Sequence, residues 1–90
     1  MDADPDQSFV KLLTEHQGVI CSFVISLLPG VPGADDVIQE VNTLLWTKRG
    51  QFELGTNFRA WALTIARFQV MAHLRSLKQR RWVTLDQDVA

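Results

Sequence analysis

The spacing of the apolar residues constrains the fold of this chain more than any other feature of its sequence. From Phe9 to Leu28 the apolar residues recur every three or four positions, as they do along one face of an α-helix. No segment of useful length alternates with a period of two, and no hairpin turn of Gly or Asn separates β-branched runs. The 90 residues are enough for one small domain. The sequence therefore predicts an all-α fold.

Capping residues, glycine and proline mark the expected helix boundaries. We expect three helices, which begin at Asp4 with Pro5 in the first turn, near Gly33, and at Thr56 or Asn57, and which end at Pro29-Gly30, at Gly50 and within residues 75–81. The predicted core-facing residues are Phe9, Leu12, Leu13, His16, Ile20, Phe23, Val24, Leu27, Leu28, Val37, Ile38, Val41, Leu44, Leu45, Phe58, Trp61, Ala62, Ile65, Ala66, Gln69 and Ala72. Short connections at 29–33 and 50–56 favour an antiparallel three-helix bundle.

The domain organisation follows from where this helical pattern begins and ends. Residues 1–8 are expected to be a polar lead-in, and residues 9–81 to form the domain. Residues 82–90 lose the apolar stripe and become acidic, which predicts the start of an interdomain linker or an artificial chain end.

The charges are sorted along the chain rather than mixed. Residues 1–47 hold seven acidic residues and one basic residue, a net charge of −6, whereas residues 48–82 hold eight basic residues and one acidic residue, a net charge of +7. A formal net charge of −1 therefore conceals a dipolar molecule. One part suits a polyanion and the other suits a basic protein surface.

Few residues suggest catalysis or metal binding. His16 and His73 fall in different predicted helices, and no zinc, Walker A or dinucleotide-binding motif is present. Asp36 and Glu40 lie one helical turn apart and could in principle hold a metal, but helix-start charge and protein contact are favoured. Cys21 is the single cysteine and is expected to be a buried apolar residue. We therefore expect no enzymatic activity, catalytic residue, metal or cofactor.

Hydropathy predicts no membrane association. The apolar run over residues 19–28 contains two serines and is too short to span a bilayer. The N-terminus is acidic, unlike the basic start of a signal peptide. A cytoplasmic protein is expected.

A series of motifs between Gly33 and Arg81 carries a family resemblance. The sequence DDVIQE is followed by LLW, then by NFRAWALTIAR and a basic helix end. This order resembles conserved region 2 of bacterial RNA polymerase sigma factors. It is most similar to the extracytoplasmic-function (ECF) group, whose members typically carry D-[AE]-D-x-[VL]-Q-E followed by F-R-[AG]-W-[LA]-x-x-I-A-R. The likeness covers about residues 9–81 and implies the region 2 fold and a role in transcription initiation.

The resemblance implies two partners, core RNA polymerase and promoter DNA, with an anti-sigma factor as a further candidate. In the family, the DDVIQE helix docks on a coiled coil of the largest polymerase subunit. The corresponding contacts here would be Asp36, Gln39, Glu40, Asn42 and Thr43. Helical spacing places Asp36, Glu40 and Thr43 on one face. Charge alone favours the other interpretation, a solvated acidic face.

In the family, the following loop and helix recognise the promoter minus-ten element as a single strand, with one base flipped into a loop pocket. The implied DNA-binding residues are Gln51, Gly55, Thr56, Asn57, Arg59, Arg67, Arg75, Lys78, Arg80 and Arg81. Polar side chains and a glycine in the loop suit contact with a base, and the basic side chains suit phosphates. Phe52 and Phe58 are expected to close the core instead. Arg59 and Arg67 have an alternative role as ion-pair partners of the carboxylates Glu40 or Glu53.

Two positions depart from the sigma-factor pattern. Primary sigma factors use paired tryptophans to wedge the duplex open, but Trp61 is followed by Ala62, as is common in the ECF group, and we expect Trp61 in the core. The position after IAR is usually Asn in that group and is Phe68 here, so the contact of that Asn does not transfer. Phe68 is expected either to stack on a base or to pack against Val10 or Leu13.

The domain that binds the minus-thirty-five element in the family has no counterpart in these residues. We expect that it follows Ala90 in a longer protein, although a lone region 2 domain is the alternative. Two other functions are compatible with the sequence: a protein-interaction module that uses the Leu27/Leu28 or Trp46 surfaces, and a helical nucleic-acid binder unrelated to polymerase. Binding to core polymerase distinguishes them from a sigma factor.

Overall fold

A computed structural model of the chain describes the backbone of residues 4–89 and the side chains of residues 4–80. Within this part the chain forms α-helices and one short 3-10 helix, with no strand. The elements are α1 (Pro5–Glu15), α2 (Gln17–Leu27), α3 (Ala34–Thr47), the 3-10 helix Arg49–Gln51, and α4 (Phe58–Val89). The predicted all-α fold is confirmed. The predicted lead-in at residues 1–8 falls partly outside the residues whose side chains are described. The predicted linker at residues 82–90 and the predicted DNA contact of Arg81 fall wholly outside them.

The capping chemistry predicted most of the helix starts. The Asp4 carboxylate accepts a hydrogen bond from the Asp6 N–H at 3.0 Å, and Pro5 is the first residue of α1. Gly33 precedes α3 with φ +94°, and the Asn57 side chain accepts a hydrogen bond from the Ala60 N–H at the start of α4. These starts agree with the predictions.

Two helix ends differ from the predictions. Lys48 caps α3, so Gly50 lies beyond it in the 3-10 helix rather than at the C-cap. Helix α4 continues to Val89, past the expected fraying between residues 75 and 81. The basic residues at 75–80 are therefore held on a helix, which fixes their order around its surface.

The first predicted helix is two helices that meet at His16. This residue has φ −102° and ψ 6°, outside the helical region. Its ring atom Nδ1 lies 2.7 Å from the Leu12 carbonyl oxygen, and its ring packs 4.8 Å from the ring of Phe58. A side chain that bonds to the backbone of the preceding turn competes with regular helix geometry. The interruption is local, because the Ile20 N–H still donates to the His16 carbonyl at 2.9 Å.

The core lies where α2, α3 and α4 meet. Its buried residues within the described part are Phe9, Ile20, Val24, Leu28, Val37, Val41, Leu45, Phe52, Phe58, Ala62, Ala66 and Val70. Leu27 and Ala72 were predicted to face inward, and this was wrong, because both side chains are exposed. Leu28, which was predicted, and Val70, which was not, are buried instead. The free Cys21 is half-buried rather than buried.

Four aromatic side chains join α1 and the loop after α3 to the start of α4. The ring of Phe9 lies 6.2 Å from Phe52, 5.6 Å from Phe58 and 5.9 Å from Trp61. Phe52 and Phe58 are buried, which confirms that they close the core. Trp61 is half-buried and packs against this core, as predicted, with its ring 5.0 Å from Phe52. Such pairs stabilise the domain beyond the area they bury.

Polar contacts fix α3 between its neighbours. Gln17 of α2 and Asn42 of α3 exchange two side-chain hydrogen bonds, at 2.8 and 3.0 Å. At the other end of α3, the His73 Nε2 atom lies 2.8 Å from the Pro32 carbonyl oxygen in the turn between α2 and α3. This contact ties the turn to α4, and the imidazole lies directly over Gly33.

No helix within residues 4–89 combines the length and the apolar character that a membrane crossing requires.

Candidate functional site

An acidic face is exposed on α3. Asp36, Gln39, Glu40 and Thr43 are solvent-accessible and line one shallow groove. We call these four residues the acidic face. The opposite side of the helix buries Val37, Val41 and Leu45 against the core, as the apolar spacing predicted. Within residues 4–80 the carboxylates of Asp36 and Glu40 take part in no ion pair.

Asn42 does not belong to the acidic face. It is half-buried, and both its amide nitrogen and its oxygen bond to Gln17. These two bonds leave one N–H and one oxygen lone pair of Asn42 unused, but they fix the orientation of its amide toward α2. The observed role of Asn42 is to hold α3 against α2, and its polymerase contact stays a prediction.

Gln69 of α4 lines the same groove as the acidic face, together with Leu44 of α3. The sequence placed it among the core-facing residues, and it is half-buried at the edge of the groove. The sequence does contain a signal for this position in the groove, because Gln69 is a polar residue where the helix pattern otherwise places apolar ones. Gln69 therefore extends the polar surface of α3 onto α4.

The predicted base-contacting residues form an exposed loop before α4. Gln51, Gly55, Thr56 and Asn57 are all solvent-accessible, and Gly55 adopts φ +90°. A residue with a side chain would be strained at that φ, so glycine permits the turn. Exposure and a varied set of donors and acceptors suit this loop for contact with a base edge.

Two of these loop residues also have structural roles. The Thr56 hydroxyl donates to the Glu53 carbonyl at 2.5 Å, and Asn57 Oδ1 caps α4 by accepting from the Ala60 N–H at 3.0 Å. The Asn57 amide nitrogen has no hydrogen bond within residues 4–80 and is available to a ligand. Asn57 can therefore cap the helix with its oxygen while its nitrogen donates to a base.

Arg49 occupies the border of this loop, a role that the sequence did not reveal. Its Nε atom lies 2.9 Å from Asp6 Oδ1, and its guanidinium lies 3.9 Å from the ring centroid of Trp46. Arg49 and Asp6 thus form an ion pair at the surface. The Trp46 surface is partly covered by Arg49, and Leu28 is buried. Less apolar surface is therefore exposed at Trp46 and at Leu27/Leu28 for a protein-interaction module to use.

The basic residues of α4 point in different directions. Arg59 lies on the α2 side, in a groove with Glu15, Phe23 and Leu63. Arg67 and Arg75 instead share an outer cleft with Phe68 and Met71, and Lys78 and Arg80 are exposed further along the helix. The alternative that Arg59 or Arg67 pairs with Glu40 or Glu53 is wrong for the described residues. Arg81 lies outside the described side chains.

Phe68 is the most exposed large apolar side chain of the described part. Its exposed fraction is 71%, so the predicted alternative of packing against Val10 or Leu13 is wrong. Helical spacing places Phe68 on the side of α4 opposite the buried Ala62, Ala66 and Val70.

The described part of the chain offers no metal-binding arrangement. No group of three or more His, Cys, Asp or Glu side chains within this part is placed to hold a metal ion.

Comparison with known proteins identifies a similar family and one similar protein. The family model described as Sigma-70 region 2 matches residues 12–81. The ECF RNA polymerase sigma factor SigF of Caulobacter vibrioides (strain NA1000 / CB15N) is 29% identical over 69 residues, which cover 76% of this chain and 38% of that protein. The chain thus spans well under half the length of this relative. Solved structures gave no significant match.

Proposed function

The chain belongs to the sigma-70 region 2 family of bacterial sigma factors, and we propose that it attaches core RNA polymerase to the minus-ten element of promoter DNA and helps to melt it. The similarity to a curated ECF sigma factor supports its place in the ECF group. An anti-sigma factor is retained as a predicted partner, without a surface assigned to it.

The observation that carries this proposal is that the acidic face and the exposed basic residues of α4 lie on different helices. The acidic face lies on α3. The sequence between Glu53 and Asp86 contains no Asp or Glu, and this segment includes most of α4. An ordinary soluble helix mixes charges, because i,i+4 pairs stabilise it. A protein that bridges a basic protein surface and a polyanion instead benefits from keeping them apart.

The acidic face would bind the polymerase coiled coil. Asp36 and Glu40 lie one turn apart on the same side of α3, so two cationic side chains of a facing helix can reach them together. The amide of Gln39 supplies uncharged donors and acceptors beside them, and Gln69 extends the surface from α4. Electrostatic complementarity of this kind sets orientation and association rate as well as affinity.

The loop would contact the non-template strand where it is unpaired. Gln51, Thr56 and Asn57 expose polar groups next to a glycine turn, and the basic residues of α4 follow directly. A stable contact with unpaired bases makes melting of the promoter more favourable, because the separated strand gains a partner that the duplex lacks. The proposed melting activity therefore requires only binding, with no catalytic group.

Binding to core polymerase tests this proposal. Glu40→Lys should weaken the affinity of the chain for core polymerase by about 30-fold, which corresponds to roughly 2 kcal/mol, because a like charge would face the basic coiled coil. Glu15→Lys makes the same charge change on the exposed surface of α1 and should leave binding unchanged. The affinity is measured by titrating labelled chain with core enzyme.

The double variant Asp36→Lys, Glu40→Lys decides the assignment. If it binds core polymerase as tightly as the original chain while its helical circular dichroism is intact, the acidic face is not the polymerase-binding surface.

A further inference from the structure

The outer face of α4 is both cationic and apolar. Phe68 and Met71 are 71% and 50% exposed and lie three residues apart, so they are neighbours on one side of the helix. Arg67 and Arg75 line the same cleft, with Thr64 at its N-terminal end. We call these five residues the outer cleft. Its two arginines lie about 12 Å apart along the helix axis.

Neither the outer cleft nor the acidic face is neutralised by the rest of the chain. Among residues 4–80, Arg67 and Arg75 make no ion pair and no cation–π contact, and Asp36 and Glu40 make no ion pair. Arg49 differs from the cleft arginines, because a carboxylate of α1 holds it. Two surfaces of opposite charge are therefore exposed without a counter-charge.

These two surfaces do not meet within one molecule. The outer cleft and the groove of the acidic face share no residue. Helix α3 packs its apolar side on the core and turns the acidic face away from it. The outer cleft lies on the side of α4 opposite the same core. Contact between the acidic face and the outer cleft therefore requires two copies of the chain.

We propose that the outer cleft of one copy binds the acidic face of a second copy. The two arginines of the cleft converge on Asp36 and Glu40, which lie about 6 Å apart along α3. Leu44 is partly exposed in the groove of the acidic face, and it supplies an apolar contact for Phe68. A second copy thus offers both the carboxylates and the apolar surface that suit the cleft.

A contact between two different surfaces is heterologous and leaves one copy of each surface unoccupied. Further copies can add at either end, so the expected product is a concentration-dependent series rather than a dimer alone. The contact involves few side chains on each copy, which places it among weak, transient interfaces. The chains should therefore separate on dilution.

Self-association would compete with the binding of polymerase. In this respect the inference rests on the proposed function, because the acidic face is the surface proposed to bind the polymerase coiled coil. A copy whose acidic face is occupied by another copy cannot present it to polymerase. Dilution, or an excess of core polymerase, should release it by mass action.

Sedimentation equilibrium of the full 90-residue chain, without polymerase or DNA, tests for self-association. At about 0.1 M salt the average mass should rise with protein concentration, and at about 1 M salt it should fall to that of a single chain, because the Debye length shortens from about 10 Å to about 3 Å. A chain that stays single at the lower salt overturns the proposal and leaves the cleft to nucleic acid or another protein. Association that strengthens with salt is apolar aggregation and overturns it as well.

Reversal of the charges identifies the two surfaces. The double variants Asp36→Lys, Glu40→Lys and Arg67→Glu, Arg75→Glu should each stay single, because like charges then face each other. An equal mixture of the two should associate again, because opposite charges meet at every contact. All four positions are exposed, so helical circular dichroism should be unchanged. Association of either variant alone, or a mixture that stays single, overturns the proposal.

Matched controls exclude an effect of net charge. Glu15→Lys and Lys11→Glu reverse single charges of each sign on the exposed surface of α1 and should leave self-association unchanged. The failures of the two proposals are also distinguishable. If the original chain does not self-associate, the affinity of Asp36→Lys, Glu40→Lys for core polymerase still decides the polymerase surface. If that affinity is unchanged, the mass measurements still decide self-association.

Discussion

The substitution Gly33→Ala should destabilise the domain more than Gly30→Ala, although both glycines lie in the same turn. Both have positive φ values, +94° and +68°, where an L-residue costs about 1–2 kcal/mol. A Cβ atom on Gly30 would meet nothing within 4 Å, whereas on Gly33 it would lie 2.7 Å from Cε1 of His73. The imidazole must then move, and its hydrogen bond with the Pro32 carbonyl breaks.

The magnitude follows from these two contributions. The backbone cost is shared by both variants and is partly offset by about 0.4–1 kcal/mol of unfolded-state entropy. The displaced hydrogen bond adds about 1 kcal/mol for Gly33→Ala alone. The free energy of unfolding should therefore fall by about 1 kcal/mol for Gly30→Ala and about 2 kcal/mol for Gly33→Ala. The midpoint temperatures should differ by about 4–8 °C.

Thermal and urea unfolding, followed by circular dichroism, measure this difference. The His73→Ala background provides the control, because without the imidazole the two glycine substitutions should cost the same. If Gly33→Ala and Gly30→Ala are equally destabilising in the original chain, the His73 contact does not constrain the turn. A difference that persists in the His73→Ala background would assign it to the backbone instead.

Three further outcomes are expected. Trp61→Ala should cost about 2–3 kcal/mol in urea unfolding, below the usual range for a fully buried tryptophan because the side chain is half-buried; a loss under about 1 kcal/mol would contradict its packing role. Asn57→Ala should lower the free energy of unfolding by about 1 kcal/mol through loss of the helix cap. Asn57→Ser should keep that stability but lose base preference in oligonucleotide binding. If base preference is unchanged in Asn57→Ser, the Asn57 amide does not contact the base. Asp6→Asn should free Arg49 for phosphates and tighten oligonucleotide binding, with little loss of stability because the pair is exposed; weaker binding in anisotropy would contradict this.

Local chemistry predicted the helix boundaries better than the continuity of the helices. Asp4, Gly33 and Asn57 act through their own side chain or backbone, so their roles are visible in the sequence. The interruption at His16 was missed because the apolar spacing continues across it and no proline marks it. Its cause is partly tertiary, since the imidazole packs on Phe58 of α4, and no local pattern reports such a contact.

In the candidate site, too, features set by local spacing were predicted, and features set by contacts between distant residues were not. Helical spacing correctly grouped Asp36, Glu40 and Thr43, because one face of α3 is buried and the other is exposed. The pairing of Asn42 with Gln17 joins residues 25 positions apart and could not be inferred from either residue alone. The exposure of Phe68 likewise depends on which side of α4 the other helices cover, so the sequence left both outcomes open.

The reciprocal amide contact between Gln17 and Asn42 has a consequence for the alignment of α3 along α2. Aliphatic side chains pack against one another in several alignments at similar free energy, but two amides bond to each other in only one. A slip of one helical turn, about 5.4 Å, would separate them and leave two half-buried amides unsatisfied, at about 1–3 kcal/mol each. This penalty selects a single axial register, and with it the position of Asp36 and Glu40 along the axis of α2.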